Sequence, residues 1–368
     1  SAFANHLASH QLVQLEAASE KIQIDSCSYR VSNIVLVIGE SYNKHHSQLY
    51  GYNKPTTPFQ KEMAEQGSLV PFTDVVAPWS LTSFVFKHVL SLHAIGDSGE
   101  WCDAPLFPEV FRKAGYHVTF ITNQFQSQAK EAVYDFSGGF FLNNPEMSQR
   151  QFDTRNTSLY QFDEGVLKAY DQLKTKDEHQ LVILHLMGSH VEYRARYPQP
   201  ARRFFTPQNA NRPELTVKQR YILSDYDNSV RYNDSIMSAI TQRFIDKDAV
   251  VIYMPDHGEE IFDGSPFMYG RMHGANIDYR LARNEMEIPF WIWGSPQYIE
   301  NHPYGWQAIQ QAKDRPMMTD VLPHLLLYLG GISTPAYRPE YNVIAPEYDT
   351  RRPRVLKGTT DYNTLKKK

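Results

Sequence analysis

The chain has 368 residues, 42% of them hydrophobic, and a formal net charge of −4 at pH 7. That length can bury a full core and suits one large α/β domain with insertions, or a domain with a smaller lobe. The slight negative charge argues against a nucleic-acid surface and gives no long-range pull towards an anionic membrane, and no run of about 18 apolar residues is present to span one.

Residues 1–30 read as a helix followed by a connector. The chain opens at Ser1 inside a mixed-polarity segment, HLASHQLVQLEAASEKI, with no charged-then-apolar leader, and so reads as a piece cut from something longer. Cys27 and Cys102 are the two cysteines, so at most one intrachain disulfide can form, and the pair does not decide the redox compartment. Aromatic content is 13%, with 23 tyrosines, and ordinary packing accounts for it.

Ile34 to Ile38 run without a polar interruption and stop at Gly39, the pattern of a buried parallel strand ending at a sheet edge. Glu40 follows directly. A carboxylate delivered there by a glycine turn is a candidate metal ligand or base, because ligands of open α/β sheets bind beyond the carboxyl ends of the strands. A plain turn is the alternative. A helix (TPFQKEMAEQG) and a second apolar stretch (SLVPFTDVVAP) come next. In WSLTSFVFKHVLSLH, Ser80 is the expected N-cap of a buried helix that holds Thr82 in its first turn. Free N–H groups and the helix dipole there favour an anion, although Thr82 can also be read as an assistant to the cap.

Alternation then sets in. FPEVFRKAGY, QFDEGVLKAYDQLKT, SDYDNSVRYNDSIMSAITQRF and TDVLPHLLLYLGG read as helices; HVTFITNQ, HQLVILHLMGSH, DAVVIYMPDHGEE and EIPFWIWG read as strands. Such βαβ units predict an α/β fold with a mostly parallel central sheet and helices on both faces. The tail, 335–368, is rich in Pro, Arg and Tyr and is expected to wrap the surface.

Three of these strands end in metal-competent residues: Glu40, His190, and the pair Asp256-His257. Parallel strands bring their carboxyl ends to one edge, so these residues should converge. Glu40, Asp256 and His257 offer two carboxylates and an imidazole, a set suited to Zn²⁺ or Mn²⁺ with a fourth position open. A metal there would lower the pKa of a coordinated hydroxyl, and Thr82 is the hydroxyl to place beside it. The structural alternatives are that Asp256 caps the following turn and that His257 is a satisfied histidine at the sheet edge. His273, in RMHGAN, can reach the same crevice and, with His190, hold a phosphate or a second ion. His45, His46, His88, His93 and His185 read as surface or core residues.

The motifs LVIGES, GY-x-K-x-TTP, Thr82 at a helix start, HLMGSH, YDNSVRYND and PDHGEE followed by HG resemble the periplasmic domain of the phosphoethanolamine transferases, members of the alkaline phosphatase and sulfatase superfamily. The resemblance runs from about Ser32 to Gly331. It implies a catalytic domain over 31–334, residues 1–30 as the connector to an N-terminal membrane-embedded domain, and a location at the periplasmic face of the bacterial inner membrane. It also implies one zinc held by Glu40, Thr82, Asp256 and His257, with Thr82 as nucleophile, and room for a second. His190 and His273 fall where the family binds the transferred group. The implied reaction has two steps: Thr82 attacks the phosphorus of phosphatidylethanolamine, diacylglycerol leaves, and an acceptor on lipopolysaccharide or another envelope glycan then takes the group. A monomer is expected.

Lipid A-modifying members carry small residues around the nucleophile and several disulfides. Here WSLTSFVFKH surrounds Thr82, which is closer to members acting on lipopolysaccharide core or other glycans. The stretch has no Cys/Ser-x-Pro-x-Arg pattern for a formylglycine, which speaks against a sulfatase activity. A phosphoglycerol transferase would share the ligands. A metal-stabilised binding module would have lost one of them.

Overall fold

Uninterrupted apolar runs become strands whose two faces are both covered. In the computed structural model, which describes residues 2–125, 140–204, 211–264, 268–272, 274 and 276–367, a seven-stranded sheet organises the chain. Its strands are β1 (Asn33–Gly39), β2 (Leu69–Phe72), β3 (His117–Thr122), β4 (Thr154–Arg155), β5 (Gln180–His185), β6 (Ala249–Pro255) and β7 (Phe290–Gly294). They lie in the order β2-β7-β6-β1-β5-β3-β4. From β6 to β4 every pairing is parallel, and β7 runs antiparallel to both β6 and β2. The sheet is therefore mostly parallel, as expected, with one reversed strand that an apolar run such as EIPFWIWG does not reveal.

Alternate side chains of β1 supply two cores. Ile34, Leu36 and Ile38 pack on one face with helices α1 (Ala2–Glu20), α3 (Thr82–Leu90) and α4 (Phe107–Ala114), through Leu15, Val85 and Val110. Val35 and Val37 pack on the other with α2 (Pro58–Glu65), α5 (Glu164–Leu173) and α6 (Val217–Arg243), through Met63, Val166, Val230 and Met237. Each buried aliphatic side chain contributes about 1.5–3 kcal/mol, so a strand buried on both faces anchors the sheet.

Local signals set most helix ends. Thr216 and Gln219 form a reciprocal capping box at the start of α6. α3 differs from expectation: its N-cap is Leu81, and Ser80 lies one residue too early. The extended backbone at Leu81 makes Thr82 the first helical residue; among the described residues no side chain caps the helix, and the buried Ser80 hydroxyl has no hydrogen-bond partner.

The tail does more than wrap the surface. Val343, Leu356 and Tyr362 are fully buried, and the last two form a small third core with Val76, Leu281 and Met318. Arg352 pairs with buried Asp320 and Arg354 with Asp74, which fasten the tail to the domain. Cys27 and Cys102 are both free. Among the described residues no helix is long and apolar enough to cross a membrane.

Candidate active site

β1 and β6 are parallel neighbours in a register that sets Gly39 opposite Pro255, so the residues following each strand emerge side by side. The two turns are tied together by Asp256 N–H to Gly39 O (3.1 Å), Ser41 N–H to Asp256 Oδ1 (3.2 Å) and Tyr42 N–H to His257 O (2.9 Å). As a result one ligand atom each from Glu40, Asp256 and His257 lies within 4.8 Å of the others, and all three side chains are buried. Gly188, with φ of +56°, lets the loop after β5 pass against this turn; a Cβ there would lie 2.8 Å from the Glu40 nitrogen.

Each of these three side chains is oriented by a second partner. His257 Nδ1 lies 2.7 Å from the Gly258 carbonyl and donates to it, which leaves Nε2 facing Asp256 Oδ2 at 3.1 Å and Glu40 Oε1 at 3.2 Å. Asp256 Oδ1 accepts the His257 N–H at 2.8 Å as well as that of Ser41. Gln124 Nε2 donates to Glu40 Oε2 (3.0 Å) and to the Leu186 carbonyl (2.8 Å). The Thr82 hydroxyl donates to Asp256 Oδ2 at 2.6 Å and lies 3.3 and 3.4 Å from the two Glu40 oxygens. Helix α3 thus brings its first residue to the carboxyl edge of the sheet.

The charges also call for a cation. Burial works to raise the Glu40 carboxyl, but His257 and Arg271 hold it well below the usual carboxylate range. Burial, and then Glu40 beside it, push Asp256 up to about 6. At His257, burial and Arg271 oppose a charge, and the two carboxylates outweigh them and push it up to about 10. The Arg271 Nη1, 2.6 Å from His257 Nε2, instead requires the neutral ring, which is also the form that binds a metal. Two buried carboxylates and an imidazole with an unprotonated Nε2 fit a borderline ion such as Zn²⁺ or Mn²⁺ once Arg271 yields that nitrogen.

The site also contains residues that the sequence pattern did not single out. Arg271 donates to the Ser80 carbonyl at 2.8 Å and lies 3.4 Å from buried Glu259. Glu259 accepts the Tyr193 hydroxyl at 2.7 Å and is pushed up to about 7 by burial. The Tyr226 hydroxyl, on α6, donates to Ser41 O (2.6 Å) and accepts the Asn43 N–H (2.9 Å), pinning the turn after Glu40, where Ser41 has φ of +54°. His190 does not join the cluster. It is half-buried after β5, its Nδ1 lies 2.5 Å from the Val191 carbonyl, and among the described residues it makes no hydrogen bond or ion pair with Glu40, Thr82, Asp256 or His257. His273 lies outside the described residues. Among the other histidines, His185 is buried in an aromatic nest of Phe86, Phe120 and Phe125, as a core residue should be.

The phosphoethanolamine transferase EptC of Escherichia coli O18:K1:H7 (strain RS218 / NMEC) is 29% identical over 341 residues, which cover 90% of this chain and 57% of that protein. The chain thus spans little more than half the length of this curated relative. The crystal structure of the C-terminal periplasmic domain of EcEptC from Escherichia coli superposes with a TM-score of 0.80 at 26% identity, covering 94% of this chain and 96% of that one. A structure of the same domain in complex with Zn gives 0.79 at the same identity and coverage. The fold is that of the alkaline phosphatases and sulfatases. A sulfatase family profile matches residues 32–332, and the chain belongs to the sulfatase family.

Proposed function

We propose that this chain transfers phosphoethanolamine from phosphatidylethanolamine, through a covalent phospho-Thr82 intermediate, to lipopolysaccharide (lipid A or core) or another envelope glycan. The observation that carries this reading is the Thr82 hydroxyl, 2.6 Å from Asp256 Oδ2 in the buried Glu40, Asp256 and His257 group. The likeness to EptC supports the transferred group. Zn²⁺ held by Glu40, Asp256 and His257, with Thr82 as a further ligand, would supply Lewis-acid polarisation of the phosphoryl oxygens and ease ionisation of the threonine hydroxyl.

The chain's own residues perform the rest. Asp256 Oδ2 already holds the Thr82 proton in a short hydrogen bond, so the hydroxyl is aimed and its proton has a destination. The Thr82 oxygen forms a bond to phosphorus, the bond to the glycerol oxygen breaks, and diacylglycerol departs with a proton. The acceptor oxygen then forms a bond to the same phosphorus as the bond to Thr82 breaks, and the acceptor's proton passes to the Thr82 oxygen, restoring its hydroxyl. The first N–H groups of α3, uncapped by any side chain, and the Arg271 guanidinium at Ser80 and His257 stabilise charge on the phosphoryl oxygens. His190 and His273 are assigned to the leaving group or the phosphate. Residues 31–334 form the catalytic unit, 335–368 its tail, and 1–30 the connector to a membrane domain at the periplasmic face of the inner membrane. The working unit is a monomer.

Zinc-loaded protein incubated with acyl-labelled phosphatidylethanolamine should release labelled diacylglycerol, and Thr82→Ala should not. Equal release by the variant refutes the nucleophile. Release from phosphatidylglycerol alone moves the assignment to phosphoglycerol transfer.

A further inference from the structure

A helix at a protein surface normally buries its apolar residues and exposes its polar ones. The segment carrying Thr82 obeys this only in part: Val85, Phe86, Val89 and Leu90 are buried in the core, but the other side is mixed. Ser80, Thr82, Ser83 and Lys87 are buried, whereas Trp79, Leu81, Phe84 and His88 remain half-exposed. The Trp79 ring stacks on both Phe84 and His88, with centroids 5.2 Å apart in each pair. Burial holds His88 down to about 4, so its ring is uncharged at neutral pH and extends the aromatic surface.

Two other segments close on the same patch. The Lys357 N–H donates to the Pro78 carbonyl at 2.9 Å, and its Nζ donates to the carbonyls of Met272 (3.1 Å) and Gly274 (3.2 Å). The Met272 residue is 45% exposed. Thr82 therefore sits amid partly exposed aromatic and aliphatic side chains with a lysine at the margin. Tryptophan, aliphatic side chains and a flanking cation are the composition that settles at the headgroup level of a bilayer. A net charge of −4 gives no long-range steering, so contact there would come from apolar insertion.

We infer that the patch of Trp79, Leu81, Phe84 and Met272, edged by Lys357, is the surface by which this chain rests on the interfacial layer of a phosphatidylethanolamine-containing bilayer. This rests on the lipid-donor reading above. A phosphorus attacked by Thr82 carries its glycerol one bond away, so the lipid must arrive over the residues that flank Thr82, where Trp79, Leu81 and Phe84 are apolar and partly exposed. The patch holds the nucleophile at the depth of the headgroups, and the donor need not leave the membrane.

The chain offers its own probe. Of its five tryptophans, Trp101, Trp291, Trp293 and Trp306 are buried, and Trp79 alone is half-exposed. Mixed with vesicles of phosphatidylethanolamine and a phosphatidylcholine brominated near the head of its acyl chains, zinc-loaded protein should lose the Trp79 part of its emission, and Trp79→Phe should show no such loss. The double variant Phe84→Gln, Met272→Gln should bind the vesicles roughly tenfold more weakly, since two partly exposed apolar side chains are lost. It should keep the wild-type circular dichroism and wild-type Thr82 labelling by a water-soluble short-chain phosphatidylethanolamine. Wild-type emission untouched by the brominated lipid, or a double variant that binds like wild type, overturns the inference. So does an equal loss of labelling with the short-chain donor, which puts these side chains in the donor's own site, or a dimer in solution that covers Trp79. Intact quenching with no labelling from either donor refutes the proposed function and leaves the membrane surface standing.

Discussion

Replacing Tyr226 with Phe removes one oxygen, and the structure says what should follow. That hydroxyl donates to the Ser41 carbonyl at 2.6 Å and accepts the Asn43 N–H at 2.9 Å, and Tyr226, Ser41 and Asn43 are all fully buried. Phe fills the same space and leaves the Asn43 N–H without its partner, a cost of about 1–3 kcal/mol in folding stability. The same bonds hold the turn that presents Glu40, and through Ser41 they hold Asp256 Oδ1. Loss of such an outer support typically lowers metal affinity about 10–100-fold. The assay pairs urea unfolding of metal-free protein with zinc titration against a chelator of known affinity. Both losses should appear together. A variant that loses the stability but keeps zinc affinity within about twofold would refute the claim that Tyr226 positions the ligand turn.

Arg352→Ala leaves Asp320 buried without its guanidinium, with the Ile95 N–H as its remaining partner among the described residues, and should destabilise the protein by about 3–5 kcal/mol in urea unfolding. His46 is a pH test. Burial opposes its charge, and Asp263 and Asp227 outweigh burial and push it from 6.5 up to about 9. A raised histidine contributes fully below its unfolded pKa and loses that contribution as pH rises through the folded one. The stability gap between wild type and His46→Asn should therefore shrink by roughly 3 kcal/mol between pH 6 and pH 10; a constant gap would show that the ring is not charged. Zinc at about 100 times its dissociation constant should add about 2.7 kcal/mol, so chelation should lower the melting temperature by several degrees and zinc should restore it. No shift in either direction would contradict a metal bound by Glu40, Asp256 and His257.

What could be read from the sequence follows from where the determining information sits. Five consecutive apolar residues before Gly39-Glu40, and the similar run before Asp256-His257, state burial on both faces and a functional edge in a few neighbouring residues. The direction of β7 does not, because an apolar run is the same read either way and only its pairing with β6 and β2 fixes it. Ser80 looked like a cap because of its side chain, but the backbone turns helical two residues later. Gln124 reaches the site through the fold, from a segment whose local pattern carries no chemistry, while Arg271 and Glu259 lie inside RMHGAN and PDHGEE, where the histidines and Asp256 drew the reading and nothing local gave these two a task. Tyr226 was visible in YDNSVRYND as a motif, and its task, holding the turn after Glu40 across 185 positions of sequence, was not.

The account stands or falls on whether Thr82 carries the transferred group. Intact and peptide mass spectrometry of zinc-loaded protein after incubation with phosphatidylethanolamine tests this most directly, with a chelated control beside it. The account predicts phosphoethanolamine mass on the peptide containing Thr82, lost on chelation and absent in Thr82→Ala. An adduct on another residue, or diacylglycerol release with Thr82 unmodified throughout the reaction, would contradict it.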